Sequence, residues 1–167
     1  MLRLLGAVMI TVVGGVIGTM SSEKLRRSRQ YCEAMSFLIQ RLNFLIGFRS
    51  DDVYAVCSQL RNDTELSPLT FIRSLPTGFV PGEDFRSQWT EAVKGQKDLG
   101  KEETELLLRI GGILGKSDIS GQIAGLSAVQ KELDRLTELR TEEFLRKSRM
   151  YRSAGLLMGA MAGILII

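Results

Sequence analysis

Two uncharged apolar stretches, Leu4 to Met20 and Ser153 to Ile167, bracket a middle whose apolar residues recur at helical spacing. From Glu23 to about Phe48, the residues Met35, Leu38, Ile39, Leu42, Leu45 and Ile46 fall three and four apart, which predicts one long amphipathic helix. Gly47 and Ser50-Asp51-Asp52 are expected to end it and to cap a short helix from Val53 to about Leu60. Ser67-Pro68 reads as an N-cap with proline in the first helical position, opening a helix through Leu75. Pro76-Thr77-Gly78 and Pro81-Gly82 form a loop. Phe85, Trp89 and Val93 mark the next helix, ending near Gly95, and Gly100 to Glu103 opens another with Leu106, Leu107, Ile110 and Ile113 on its buried face. Gly115 stops that helix. Ser117-Asp118 caps the last and longest one, which carries Ile123, Leu126, Val129, Leu133, Leu136 and Leu139 and is expected to run unbroken to Ser153. Alternating β-branched runs are absent outside the first apolar stretch.

The expected fold is all-α: a cytoplasmic helical bundle of about six helices in residues 23–152, flanked by transmembrane helices in 1–22 and 153–167. An antiparallel pairing of the first and last bundle helices is favoured over a two-stranded coiled coil. Arg140 and Glu143 would occupy the seam positions if the heptads continued beyond Leu139.

At 1.5 Å per residue the first apolar stretch is roughly 26 Å long and the last about 22 Å, against a hydrocarbon core of about 30 Å. The last therefore needs local thinning or a neighbouring helix. Arg3 before an apolar run also fits a cleaved signal peptide. Against that, Gly18-Thr19-Met20 is a poor cleavage site, and four basic residues follow it. Gly155, Gly159 and Gly163 repeat every four residues on one helix face, as do Gly14 and Gly18, so close packing of these helices inside the bilayer is expected.

Charge refines the topology. Residues 30–145 hold 13 Lys/Arg against 18 Asp/Glu, a net of −5, although the whole chain is at +3. The basic excess lies in Lys24, Arg26, Arg27 and Arg29 and in Arg146, Lys147, Arg149 and Arg152, just inside the two apolar ends. A nucleic-acid face is thereby disfavoured, and the positive-inside rule sets the middle in the cytoplasm. The two cysteines, Cys32 and Cys57, fit no metal or redox spacing and read as buried free thiols.

The chain contains no histidine, which removes Ser-His-Asp and Cys-His triads, His-ligated metals and His general bases. No GxxxxGK[ST] loop is present. Gly111 to Asp118 ends in Gly-Lys-Ser but lacks a preceding strand and has its first glycine at the wrong offset, so a helix stop and a new N-cap describe it better. Glu102-Glu103 and Asp51-Asp52 sit at helix starts, where the helix dipole accounts for them. No cofactor or metal is expected.

The loop Leu114-Gly115-Lys116-Ser117-Asp118 with Gly121-Gln122, the opening Leu4-Leu5-Gly6-Ala7 and the closing Tyr151 to Leu157 together resemble the stage III sporulation protein AB family over the whole chain. The region Phe48 to Asp52 departs from the Pro-Leu turn expected there. The resemblance implies a membrane protein of endospore-forming bacteria, seated in the mother-cell membrane within a channel complex facing the forespore. It also implies a cytoplasmic domain similar to that of the type II secretion inner-membrane platform protein. The implied partner is a secretion-type ATPase, stage III sporulation protein AA, besides other channel-complex membrane proteins and further copies of the chain. In that picture the protein performs no covalent chemistry. The alternative is a generic membrane-anchored helical oligomerisation scaffold. Gly115, Lys116, Ser117, Asp118, Gly121 and Gln122 are then the candidate partner-contact loop; the same residues also read as a tight helix reversal.

Overall fold

The computed structural model describes residues 26–49, 52–79 and 81–166, with the backbone alone for 49, 148, 149 and 151–166. Helix α1 covers residues 26–44 and continues into a π-helical turn, Leu45–Arg49. Then come α2 (Val53–Leu60), two 3-10 turns (Thr64–Leu66 and Thr70–Ser74), α3 (Phe85–Gly95), α4 (Lys101–Ile113) and α5 (Ile119–Ile166). No strand occurs among the described residues. The described residues are all-helical, with five α-helices where about six were expected in the bundle.

Local chemistry sets most of these boundaries. The Asp52 carboxylate accepts from the Tyr54 amide at 3.4 Å and caps α2. Gly100 is the N-cap of α4, which carries Glu102 and Glu103 in its first turn, where carboxylates suit the positive end of the helix dipole. Asp118 accepts from the Gly121 amide at 3.1 Å at the start of α5.

Three expectations need correction. Where a helix was predicted from Ser67-Pro68 to Leu75, the chain forms the 3-10 turn Thr70–Ser74, preceded by another at Thr64–Leu66. The side chain of Gln96 takes the backbone groups that an α-helix would have used: it donates to the Pro68 carbonyl at 3.1 Å and accepts from the Phe71 amide at 3.2 Å. Leu66, Leu69, Phe71, Ile72 and Leu75 are all buried, a spacing that no single α-helical face provides. Gly47 does not end the first helix; the chain passes through it in the π turn. Leu139 is 49% exposed, so the buried seam of α5 stops at Leu136.

The chain divides into two compact units. One spans Gln30–Thr137. Its core joins Met35, Leu38, Ile39 and Leu42 of α1 to Leu126, Val129 and Leu133 of α5, with Phe71, Trp89, Leu107 and Ile110 packed in the same cluster. The α1–α5 pairing is antiparallel, as expected. Gln130 Nε2 donates to Ser36 Oγ at 3.0 Å, while a side chain placed at Gly47 would meet Ile123 Cδ1 at 3.3 Å. Moving up α1 therefore means moving down α5. Helix α4 also runs antiparallel to α5: Arg109 pairs with Glu132, and Ile113 lies against Gly125.

Trp89 joins α3 to α4. It is fully buried, its indole Nε1 donates to the Leu107 carbonyl at 2.8 Å, and its ring meets Phe71 edge-on at 5.3 Å. The ring covers Gly111 so closely that a Cβ there would lie 2.2 Å from Trp89 Cδ1.

The described part of the second unit comprises Arg26–Arg29 and Glu138–Ile166. In it α5 continues without a break, as expected, and Arg140 lies 3.7 Å from Glu143 one turn on. Among the described residues no helix is long and apolar enough to cross a membrane. The first apolar stretch, with Gly14 and Gly18, lies outside the described residues. Gly155, Gly159 and Gly163 are described only as α5 backbone.

Candidate functional site

The loop from Gly115 to Gln122 lies at the end of the 30–137 unit where α1 finishes and α5 begins, opposite the end where residues 30 and 137 leave it. Leu114 is buried and ends α4. Gly115 then takes φ +71°, the left-handed conformation that lets the chain reverse without a Cβ penalty. The Lys116 amide returns to the Ile113 carbonyl at 3.3 Å.

One side chain closes the turn. Gln122 Oε1 accepts from the Gly115 amide at 3.1 Å, and its Nε2 donates to the Ser117 carbonyl at 2.8 Å. Asp118 takes the Gly121 amide through its carboxylate and the Gln122 amide, at 3.0 Å, through its carbonyl. A Cβ at Gly121 would come within 2.7 Å of Ser117 Oγ and 2.8 Å of Asp118 Oδ1. The six residues singled out in sequence are thus brought together, but most of their polar groups are spent on one another. The amides of Gly115, Lys116, Gly121 and Gln122 are all engaged, and a helix rather than a strand precedes the loop, so it does not form a phosphate cradle.

Lys116 is exposed and points to the role that remains. Beside it Ile119 is 41% exposed in the first turn of α5. Two aromatic residues extend this apolar surface at the same end of the unit. Phe48 sits in the π turn and is 84% exposed, and Phe79 is 69% exposed and packs edge-on to Tyr54 at 6.1 Å. Tyr54 follows Val53, whose Cγ1 would lie 3.4 Å from a Cβ at Gly115. Sequence reading missed Ile119, Phe48 and Phe79. Ile119 keeps the helical phase of Ile123 and so reads as core, yet α5 begins beyond the last layer that could bury it.

The cysteines are free and buried, as expected. Burial pushes the Cys57 thiol up to about 12; Arg61 nearby opposes this and Asp52 adds to it. Such a thiol is not a nucleophile at neutral pH. Among the described residues no group of three or more His, Cys, Asp or Glu is placed to hold a metal ion.

Fold and surface together define an all-α bundle protein with a self-bonded helix reversal and exposed apolar side chains at one end. Within that class the chain belongs to the stage III sporulation protein AB family, whose family model matches residues 3–167. The resemblance drawn from the loop and the two ends is thereby established across the chain, and with it a role in stage III of sporulation. No curated protein and no solved structure matches the chain.

Proposed function

We propose that the protein is a non-enzymatic platform of the sporulation channel between mother cell and forespore, coupling a secretion-type ATPase to membrane components of that channel. Residues 1–22 and 153–167 serve as its two membrane helices and 23–152 as its cytoplasmic part. The observation that carries the reading is the end surface of the 30–137 unit. A rigid, self-bonded loop there holds Lys116 and Ile119 outward, with Phe48 and Phe79 exposed at the same end. Exposed apolar side chains grouped with a polar rim mark partner surfaces more often than they mark catalytic ones. The antiparallel α1–α5 pair sets that surface at the opposite end of the unit from the residues leading to the basic flanks and apolar ends, which suits a part that links a soluble motor to the membrane.

The test is co-purification of the full chain, in detergent, with the secretion-type ATPase. Lys116→Glu and Ile119→Ser change exposed side chains and alter stability by about 0.5 kcal/mol, while Phe79→Ser also gives up its edge-on contact with Tyr54, about 0.5–1.5 kcal/mol. The triple variant should keep its helical circular dichroism and lose the ATPase. Retention of the ATPase by a folded triple variant removes this surface from the interface and the proposed coupling with it.

A further inference from the structure

The last apolar stretch is about 22 Å long against a hydrocarbon core of about 30 Å, but the helix that carries it does not begin there. Helix α5 is continuous through Ser153, so residues 145–152 belong to the same rod. Those residues mix the two chemistries of a bilayer interface. Residues 144–167 hold four cations, Arg146, Lys147, Arg149 and Arg152, and no acid, whereas residues 131–143 hold three cations and five acids. Arg140 lies beside Glu143, but Arg146 and Lys147 form no ion pair among the described residues, although Glu142 and Glu143 stand one turn back. Leu145 and Met150 are 50% and 63% exposed. Five residues apart, they point about 140° apart around the helix. A protein groove covers one helix face and would leave one of the two bare. A surrounding apolar phase takes both.

We infer that residues 144–152 lie in the headgroup layer of the bilayer and bind anionic phospholipid. Leu145 and Met150 enter the upper acyl region. Arg146 and Lys147 lay their alkyl stems along the helix and carry their charges to lipid phosphates, and Arg149 and Arg152 add charge of the same sign. The Arg146 guanidinium suits the phosphate as a fork, the Lys147 ammonium as a point charge. The crossing helix then starts at Phe144, and its 23 residues to Ile166 span about 34 Å. The shortfall in length is met by α5 itself, through snorkelling cations, without a thinned bilayer. The inference rests on the reading of residues 153–167 as a membrane helix and adds the lipid class that the preceding turns select.

The test uses the full chain reconstituted in vesicles of phosphatidylcholine and phosphatidylglycerol. An NBD fluorophore is attached in turn to Leu145→Cys, Met150→Cys and Leu157→Cys, with Lys131→Cys as the aqueous control; both native cysteines are buried and stay unlabelled. The quencher is a lipid with a nitroxide on its acyl chain. Quenching is expected at 145, 150 and 157 and not at 131. No quenching at 157 removes the membrane helix itself, and this inference with it. Quenching at 157 that is missing at 145 or at 150 keeps the membrane helix and overturns the inference alone. For the lipid class, the nitroxide is carried by phosphatidylglycerol or by phosphatidylcholine at equal mole fraction. The probe at 150 should be quenched about threefold or more effectively by phosphatidylglycerol. Arg146→Gln with Lys147→Gln should remove about half of that preference or more; glutamine is a good helix former, and circular dichroism checks that α5 is kept. Equal quenching by the two lipids, or a preference unchanged in the folded double variant, overturns the inference.

Discussion

Two neighbouring glycines, Gly111 and Gly112, should respond to alanine with opposite signs. Both lie inside α4, where Gly costs about 1 kcal/mol relative to Ala, so helix propensity alone favours either substitution. At Gly112 the nearest side-chain atom to a new Cβ is Arg86 Nε at 3.7 Å, an ordinary contact. At Gly111 the new methyl would lie 2.2, 2.5 and 2.6 Å from Cδ1, Cγ and Nε1 of Trp89, where carbon atoms at rest stand about 3.5–4.0 Å apart. Trp89 has nowhere to retreat: it is fully buried, held by its bond to the Leu107 carbonyl and backed by Phe71 and Phe85. Either α3 lifts from α4 by more than 1 Å, on the order of 1–3 kcal/mol for overpacking, or the indole bond breaks at a similar cost. Net of the propensity gain, Gly111→Ala should destabilise by up to about 2 kcal/mol and Gly112→Ala should stabilise by up to about 1 kcal/mol. Urea titration of the full chain in detergent, read by Trp89 fluorescence and by circular dichroism, measures both. Equal stabilities for the two variants would refute the tight α3–α4 contact.

The Cys57 thiol gives a pH test. Its protonated form is favoured in the fold, from 9.0 to about 12, so native protein binds more protons than unfolded chain above pH 9 and stability falls as pH rises. The loss should reach about 1.4 kcal/mol by pH 10 and flatten in Cys57→Ala, as read by denaturation midpoints across pH 8–11. At the start of α4, a Cβ on Gly100 would lie 2.1 Å from Oε2 of the buried Glu103. Gly100→Ala should therefore cost about 1–2 kcal/mol, but only a few tenths in a Glu103→Ala background, which a double-mutant cycle resolves. Asp118→Ala should cost about 1 kcal/mol by uncapping α5 and Asp118→Ser should recover most of it, seen as a shift and return of the thermal midpoint. For topology, Lys97→Cys should resist an impermeant thiol reagent in intact cells and react after lysis, with little background because both native cysteines are buried; labelling from outside would place the middle on the other face.

The helices were legible wherever their causes are local. Met35 to Ile46 and Phe85 to Val93 follow the 3.6 period, and Asp52, Gly100 and Asp118 are caps whose chemistry is contained within a few residues. The stretch from Ser67 to Leu75 was misread because its cause is distant. Gln96, 25 and 28 residues away, captures backbone groups of Phe71 and Pro68, and no pattern inside the stretch announces that. Gly111 has a distant cause of the same kind: the position of Trp89, 22 residues earlier, makes it a contact surface.

The candidate loop shows the same division between local and distant causes. Its turn was readable, because Gly115 and the Ser117-Asp118 cap follow from conformation and hydrogen bonding over a few residues. Its function was not. The residues that mark it in sequence are those most occupied in holding it, so substituting Asp118 or Gln122 tests the turn and the partner at once. Lys116 and Ile119 separate the two questions, since neither side chain bonds within the loop and both are exposed. A loss of partner in Lys116→Glu with Ile119→Ser, at unchanged stability, therefore reports on docking alone, whereas a loss in Asp118→Ala that Asp118→Ser restores reports on the turn.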